Sequence, residues 1–123
     1  MSILVSMRIH VGKSSSSHCD TAAREASQEA LRGADDPSFA LVLCTDQYDT
    51  GCLASSVRRE LGDIPWAGCC AAGVFADNEL LLQGLVVALF CGRDFRVGVG
   101  MGGPVSVDPR GAGRAAVAQA VEK

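Results

Sequence analysis

FALVLCTDQYDTGCLASSVRREL, residues 39–61, is the stretch of sequence that decides the fold. Its first six residues form a short apolar run, which is typical of a strand buried on both faces of a parallel sheet. A polar loop follows at residues 45–49, and Thr50 to Leu61 then shows a helical spacing of apolar residues that Gly62 is placed to end. Since parallel strands are joined through crossover helices, the stretch predicts the first half of a β-α-β unit.

The rest of the chain supplies further strands and helices in an alternating order. We predict them at Val5–Val11 (strand), Thr21–Arg32 (helix), Ile64–Cys69 (strand), Leu80–Cys91 (strand), Phe95–Met101 (strand) and from Pro109 onward (helix). The two strands around Gly92 are predicted to form an antiparallel hairpin. The sequence therefore predicts an α/β fold, a mixed sheet with parallel βαβ crossovers and an antiparallel hairpin, with the helices packed on the sheet.

Composition and charge exclude several classes of function. The 123 residues suit one domain, and the apolar share of 48% is sufficient for a core. The net charge is -3, and no basic cluster is larger than Arg58 with Arg59, so a nucleic-acid partner is not expected. The longest apolar run has 13 residues, at 80–92, fewer than the ~20 that a membrane span needs. With no signal-peptide pattern at the N-terminus, we expect a cytoplasmic protein.

Six cysteines raise the question of disulfides or a metal site. No Cys-x-x-Cys motif occurs, and neither histidine pairs with a cysteine at zinc spacing. Cys44 and Cys91 end apolar runs, where a reduced cysteine behaves as a small buried hydrophobe. We therefore expect free thiols and no metal, with a thiol enzyme using Cys69 or Cys70 as a less favoured alternative.

An internal similarity appears when the sequence is shifted on itself by 90 residues. Residues 6–30 then align with residues 96–120 without a gap, with Gly12 opposite Gly102 and Ala26 opposite Ala116. Six of the 25 aligned positions are identical, which a chance match between two alanine-rich βα units also produces. If the repeat is real, residues 1–123 form a single domain, a truncated two-fold repeat that is incomplete at its C-terminus.

Three polar or glycine-rich segments follow predicted strands. Open α/β sheets bind ligands at the carboxyl ends of their strands, so we expect these segments to converge on one site. The candidate ligand-binding residues are Ser15, Ser16, Asp46, Tyr48, Asp49, Gly68, Cys69, Cys70 and Gly73. Their hydroxyls, carboxylates and backbone amides suit a small molecule with an amine and an acid group. Two simpler interpretations stay open: that the segments are ordinary turns, and that Asp46 or Asp49 caps the next helix.

The same residues resemble the N-terminal part of the FIST (F-box and intracellular signal transduction) domain family. The resemblance runs from Val11 to Lys123, and its most specific features are the Tyr48-Asp49 loop and the Gly-Cys-x-x-Ala-Gly segment at residues 68–73. It implies a sensory input domain of signalling proteins that binds small ligands such as amino acids and has no established enzymatic activity. Cys70 departs from the family, which more often has alanine or a small hydroxyl residue there.

We therefore expect a non-catalytic domain that binds an amino-acid-like metabolite without a cofactor and acts on a signalling output domain or protein. The alternative is a protein-interaction or assembly module, in which an exposed sheet edge pairs with a second copy or another partner. Gly98, Gly100 and Gly103 match a dinucleotide-binding motif in spacing, but no helix opens directly after them, so no nucleotide cofactor is expected.

Overall fold

The computed structural model describes residues 7–122, which contain six strands and three helices. In chain order these are β1 (Arg8–Ser14), α1 (Cys19–Leu31), β2 (Pro37–Thr45), α2 (Thr50–Leu61), β3 (Trp66–Ala71), β4 (Val74–Ala76), β5 (Glu79–Leu81), β6 (Leu85–Cys91) and α3 (Pro109–Glu122). The prediction of α2 is confirmed at both ends, and α3 begins at Pro109 as predicted.

Four strands form a mixed sheet in the order β1-β6-β2-β3. β6 is antiparallel to both of its neighbours, whereas β2 and β3 are parallel. β1, β2 and β3 therefore run in the same direction, and their carboxyl ends lie at one edge of the sheet. β4 and β5 form a separate antiparallel hairpin. The predicted α/β class, with parallel crossovers and helices packed on a mixed sheet, is confirmed.

The predicted hairpin between Leu80–Cys91 and Phe95–Met101 is wrong. β6 pairs with β1 on one side and with β2 on the other, so neither of its edges is free for the following segment. The apolar run that begins at Leu80 also divides into two strands, because the chain bends at Leu82 and Gln83, directly before Gly84. The Gly84 N–H donates a hydrogen bond to the buried Thr45 hydroxyl across 3.0 Å, which fixes this turn against the end of β2.

Three other predicted boundaries shift. The first strand is predicted at Val5–Val11, and the first two of these residues lie outside the described part of the chain. β1 extends to Ser14, because Gly12 to Ser14 continue the ladder with β6. α1 runs from Cys19 to Leu31 rather than from Thr21 to Arg32. β3 runs from Trp66 to Ala71 rather than from Ile64 to Cys69, because Cys70 and Ala71, predicted to belong to a glycine-rich turn, continue the parallel ladder with β2.

Both α1 and α2 cover the same face of the sheet. The buried alanines of α1 and the buried Leu53 and Val57 of α2 pack with side chains of β2 and β6 in one apolar core. The β4–β5 hairpin packs on the other face, where Val74, Leu81 and Val86 form a smaller cluster. The main core depends on close backbone approach, since a Cβ atom on Gly12 would lie 1.9 Å from the carbonyl oxygen of Ala26 in α1.

The internal similarity has a structural counterpart. A Cβ atom on Gly100 would lie 1.9 Å from the Ala116 oxygen and 2.7 Å from the Ala120 nitrogen, and Gly12 has the same two distances to Ala26 and Ala30. Gly12 therefore corresponds to Gly100 and not, as in the sequence alignment, to Gly102. Residues 95–103 pack on α3 as β1 packs on α1, but within residues 7–122 they belong to no strand ladder.

The expectation of six free thiols is wrong for one pair. A disulfide joins Cys19, the first residue of α1, to Cys52 in the first turn of α2, with Cα atoms 6.2 Å apart. The pairing arises because both helices follow parallel strands and lie side by side with their N-terminal turns adjacent. Cys44, Cys69, Cys70 and Cys91 are free, as expected.

Candidate functional site

The loops after β1 and β2 meet at the carboxyl edge of the sheet. The Tyr48 hydroxyl donates a hydrogen bond to the Ser16 carbonyl oxygen, and the Tyr48 side chain is buried. Burial is the main reason that the pKa of Tyr48 is raised, followed by the nearby Cys44 thiol. The predicted convergence of these two loops is therefore confirmed.

The serine-rich loop after β1 is ordered by its own side chains. The buried Ser14 hydroxyl donates to Glu25 of α1 across 2.6 Å and accepts from the Ser16 N–H across 3.2 Å. The Ser16 hydroxyl in turn accepts from the His18 N–H. These contacts engage Ser16 in local structure, and Ser15 is exposed beside it.

The two carboxylates of the second loop have different surroundings. Asp49 caps α2, because its Oδ1 atom accepts a hydrogen bond from the Cys52 N–H across 3.0 Å. Asp46 is exposed, and the adjacent Gln47 donates to the Leu82 carbonyl oxygen across 3.0 Å. The capping interpretation is therefore confirmed for Asp49.

A pocket of about 190 Å³ lies between α2 and strands β2 and β3. Of the predicted site residues, Gly68, Cys69 and Cys70 line it. The others do not: these are Ser15, Ser16, Asp46, Tyr48, Asp49 and Gly73. Gly73 lies instead at the start of the β4–β5 hairpin, where a Cβ atom would contact Leu80 and Leu81. The structure thus divides the predicted site between the Ser16–Tyr48 contact and this pocket.

Most of the pocket lining is not predicted from the sequence. Its remaining lining residues are Val42, Cys44, Thr50, Leu53, Ala54, Val57 and Trp66. Alternation along a strand places Val42 and Cys44 on the same face of β2, but in a run that is apolar on both faces it does not indicate which face α2 covers. Gly68 lies opposite Val42 in the β2–β3 ladder, and a Cβ atom there would lie 2.1 Å from the Val42 carbonyl oxygen. The position therefore requires glycine for close backbone packing beside the pocket.

Two thiols meet at the pocket wall. Cys44 and Cys70 are register partners in the β2–β3 ladder, and their sulfur atoms are 3.5 Å apart. Burial, and secondarily the hydrogen bond with Cys70, raises the pKa of Cys44 from 9.0 to about 12. Cys44 is consequently a neutral thiol near pH 7, whereas the Cys70 side chain is exposed.

Residues 7–122 contain neither a metal-binding cluster nor a membrane-spanning helix. Within this part of the chain, no group of three or more His, Cys, Asp or Glu side chains is placed to hold a metal ion. None of the helices there combines the length and the apolar character of a membrane span.

Comparison with protein-family models shows which family the chain belongs to. The model of the FIST N domain matches residues 38–122, more than half of the sequence. The chain belongs to the FIST N domain family. The match begins in β2 and includes α2, the pocket and α3, whereas β1 and α1 precede it. A comparison with curated proteins found no match.

For this FIST N domain, the family match agrees with the resemblance recognised in the sequence. The matched range contains both of the motifs on which that resemblance rested, the Tyr48-Asp49 loop and the segment at residues 68–73. The first motif supplies a loop contact and a helix cap, and the second supplies the pocket wall through Gly68 and Cys70.

Proposed function

We propose that this FIST N domain is the ligand-binding sensory part of an intracellular signalling protein, and that the ligand occupies the pocket between α2 and β3. The observation that supports the proposal is the pocket itself, which α2 covers on one side and whose lining extends to Cys44 and Cys70 near the carboxyl ends of β2 and β3. Open α/β sheets commonly bind ligands beyond these strand ends. The domain acts without catalysis in this proposal and transmits the bound state to an output domain or protein.

The shape and chemistry of the pocket favour a small, mainly apolar metabolite. Its volume of about 190 Å³ is below the ~300 Å³ at which pockets for drug-sized ligands begin. Leu53, Val57 and Trp66 provide apolar walls, and Thr50 with Cys44 and Cys70 provides the polar atoms. Among amino-acid-like metabolites, one with an apolar side chain fits this lining better than a strongly polar one.

Thermal unfolding of the chain with a panel of amino acids and their 2-oxo acids tests the proposal. A ligand that binds only the folded state stabilises it by ~2.7 kcal/mol at a concentration of 100 times its Kd. We expect the members with apolar side chains to raise Tm and the members with charged side chains to leave it unchanged. If no member raises Tm, the proposed ligand class is wrong.

A matched pair of variants in α2 locates the binding site. Ala54 lines the pocket, whereas the adjacent Ser55 is exposed and does not line it. Ala54→Phe should fill the pocket and abolish the ligand-induced rise in Tm. Ser55→Phe adds a side chain of the same size outside the pocket and should preserve the rise. Equal loss in both variants would place the ligand elsewhere.

A second candidate function is assembly, here the pairing of two copies of the chain. The observation that favours it is the exposure of large apolar side chains on the second βα unit, among them Met101, Val107 and Val121, each more than three quarters exposed. Where exposed apolar side chains form a contiguous patch, soluble proteins commonly use the patch to bind a partner. Light scattering over a range of concentrations tests this function, and a strict monomer at high concentration would contradict it.

A further inference from the structure

The β2–β3 ladder places two free thiols close enough to form a disulfide. Cys44 and Cys70 are direct register partners in an uninterrupted parallel ladder that runs from Ala40 with Trp66 to Thr45 with Ala71. Register partners project toward the same face of a sheet, and neighbouring strands lie ~4.8 Å apart. This spacing is within the Cα separation of about 4.4–6.8 Å that a disulfide bridges. The sulfur atoms, now 3.5 Å apart, need only side-chain rotation to approach bonding distance.

The two thiols differ in access. Cys70 is exposed on β3, which is an edge strand of the sheet, so a dissolved reagent reaches it directly. Cys44 is 6% exposed and lines the same pocket. The adjacent Cys69 is also exposed, but alternation along β3 directs its side chain to the opposite face of the strand. The arrangement therefore combines one accessible thiol with one buried partner.

We propose that Cys44 and Cys70 form a redox modification site, a dithiol that hydrogen peroxide or another small hydroperoxide converts to a disulfide across β2 and β3. The Cys70 thiol gives up its proton, and the resulting thiolate attacks one peroxide oxygen. The O–O bond breaks, the Cys70 sulfenic acid forms, and the other oxygen leaves as hydroxide, which takes up the thiol proton and becomes water. The Cys44 sulfur then attacks the Cys70 sulfur, the S–O bond breaks, and the leaving hydroxide takes the Cys44 proton. Two thiols and one hydrogen peroxide give one disulfide and two waters.

The roles of the two sulfurs follow from their surroundings. Burial keeps the pKa of Cys44 high, so Cys44 is the resolving thiol and the exposed Cys70 is the one that meets the oxidant. The bridge ties the edge strand to β2 and removes both thiols from the pocket wall. This chemistry goes beyond ligand binding and does not require that any ligand be bound.

Peptide mapping of the intact chain tests the proposal directly. The chain is exposed to hydrogen peroxide, its remaining thiols are alkylated, and it is cleaved before aspartate residues. The sequence separates the cysteines conveniently, because Cys44 lies in residues 36–45, Cys52 in 49–62, Cys69 with Cys70 in 63–76, and Cys91 in 77–93. We expect peptide 36–45 linked to peptide 63–76 in a monomeric chain, with two fewer alkylated thiols than in the untreated protein.

Two variants of β3 identify the sulfur involved. Cys70→Ser should abolish the linked peptide, and Cys69→Ser, its neighbour on the same strand, should preserve it. Both positions are exposed, so neither variant removes a buried side chain. The peptide map of the unmodified sequence tests the proposal even if a variant fails to fold. The proposal is overturned if peptide 36–45 stays fully alkylated while peptide 63–76 gains an internal disulfide or a sulfinic acid. It is overturned equally if the link joins two chains.

Discussion

The hydroxyl of Tyr48 lies 2.5 Å from the carbonyl oxygen of Ser16 and donates a hydrogen bond to it. This bond joins the loop after β1 to the loop after β2, at the sheet edge where both strands end. Tyr48 is also the chain's single tyrosine, and its side chain is only 6% exposed. The residue therefore connects the β1–α1 loop to the β2–α2 loop.

Replacing Tyr48 by Phe should weaken this connection. The variant keeps the ring but leaves the Ser16 carbonyl without its donor, so we expect a loss of ~1 kcal/mol in the free energy of unfolding. Urea denaturation measures it, with Ser15→Ala, an exposed neighbour in the first loop, as the control. Equal stability of the Tyr48→Phe variant and the original chain would show that the hydrogen bond contributes nothing.

The glycines of the two βα units provide a matched pair. Gly12→Ala places a methyl group 1.9 Å from the Ala26 oxygen and forces β1 away from α1, at a cost of at least ~1–3 kcal/mol in unfolding free energy. Gly100→Ala makes the same clash with Ala116, but in a segment outside the sheet.

We therefore expect Gly12→Ala to lower the Tm of the main unfolding transition and Gly100→Ala to leave that transition nearly unchanged. Gly113→Ala, where nothing lies within 4 Å of the added carbon, is the control and should favour α3 by ~1 kcal/mol. If Gly100→Ala lowers the main Tm as much as Gly12→Ala does, the two units unfold together.

The helix cap at Asp49 should be measurable. Asp49→Ala removes the acceptor of the Cys52 N–H at the start of α2 and should cost ~1 kcal/mol of unfolding free energy. Asp46→Ala removes an equal charge from the same loop at an exposed position and should cost less than half as much. Guanidinium unfolding of both variants makes the comparison, and equal losses would contradict a specific role for Asp49.

Stability should fall in the alkaline range because of Cys44. Its pKa rises on folding from 9.0 to about 12, so above pH 9 the unfolded chain loses a proton that the folded chain keeps. The stabilisation is thus fully present below pH 9 and is lost as the pH rises toward 12. Unfolding free energies at pH 8, 9 and 10 should decline more steeply for the original chain than for Cys44→Ala. Parallel declines would mean that Cys44 does not titrate differently in the two states.

The candidate site was predictable only in part. The Tyr48-Asp49 loop could be identified from turn composition and its position after a strand. The segment from Gly68 to Cys70 was identified from its turn-like composition, although it lies within β3. Cys44 could not be identified, because a cysteine at the end of an apolar run has the signature of an ordinary core residue. Its role at the pocket wall depends on which residue of β3 lies opposite, and strand register is set by packing over the whole sheet.

The sequence by itself determined the helices α2 and α3, the buried strand β2 and the family. Their signals are local: Asp49 caps and Gly62 ends α2, Pro109 opens α3, and both family motifs are short. Tertiary structure alone decided that β6 lies between β1 and β2, that Cys19 bonds Cys52, and that Cys44 meets Cys70. Capping and periodicity act within one or two turns of the chain, whereas strand order and sulfur contacts join residues 26 or more positions apart, where only packing selects the partner.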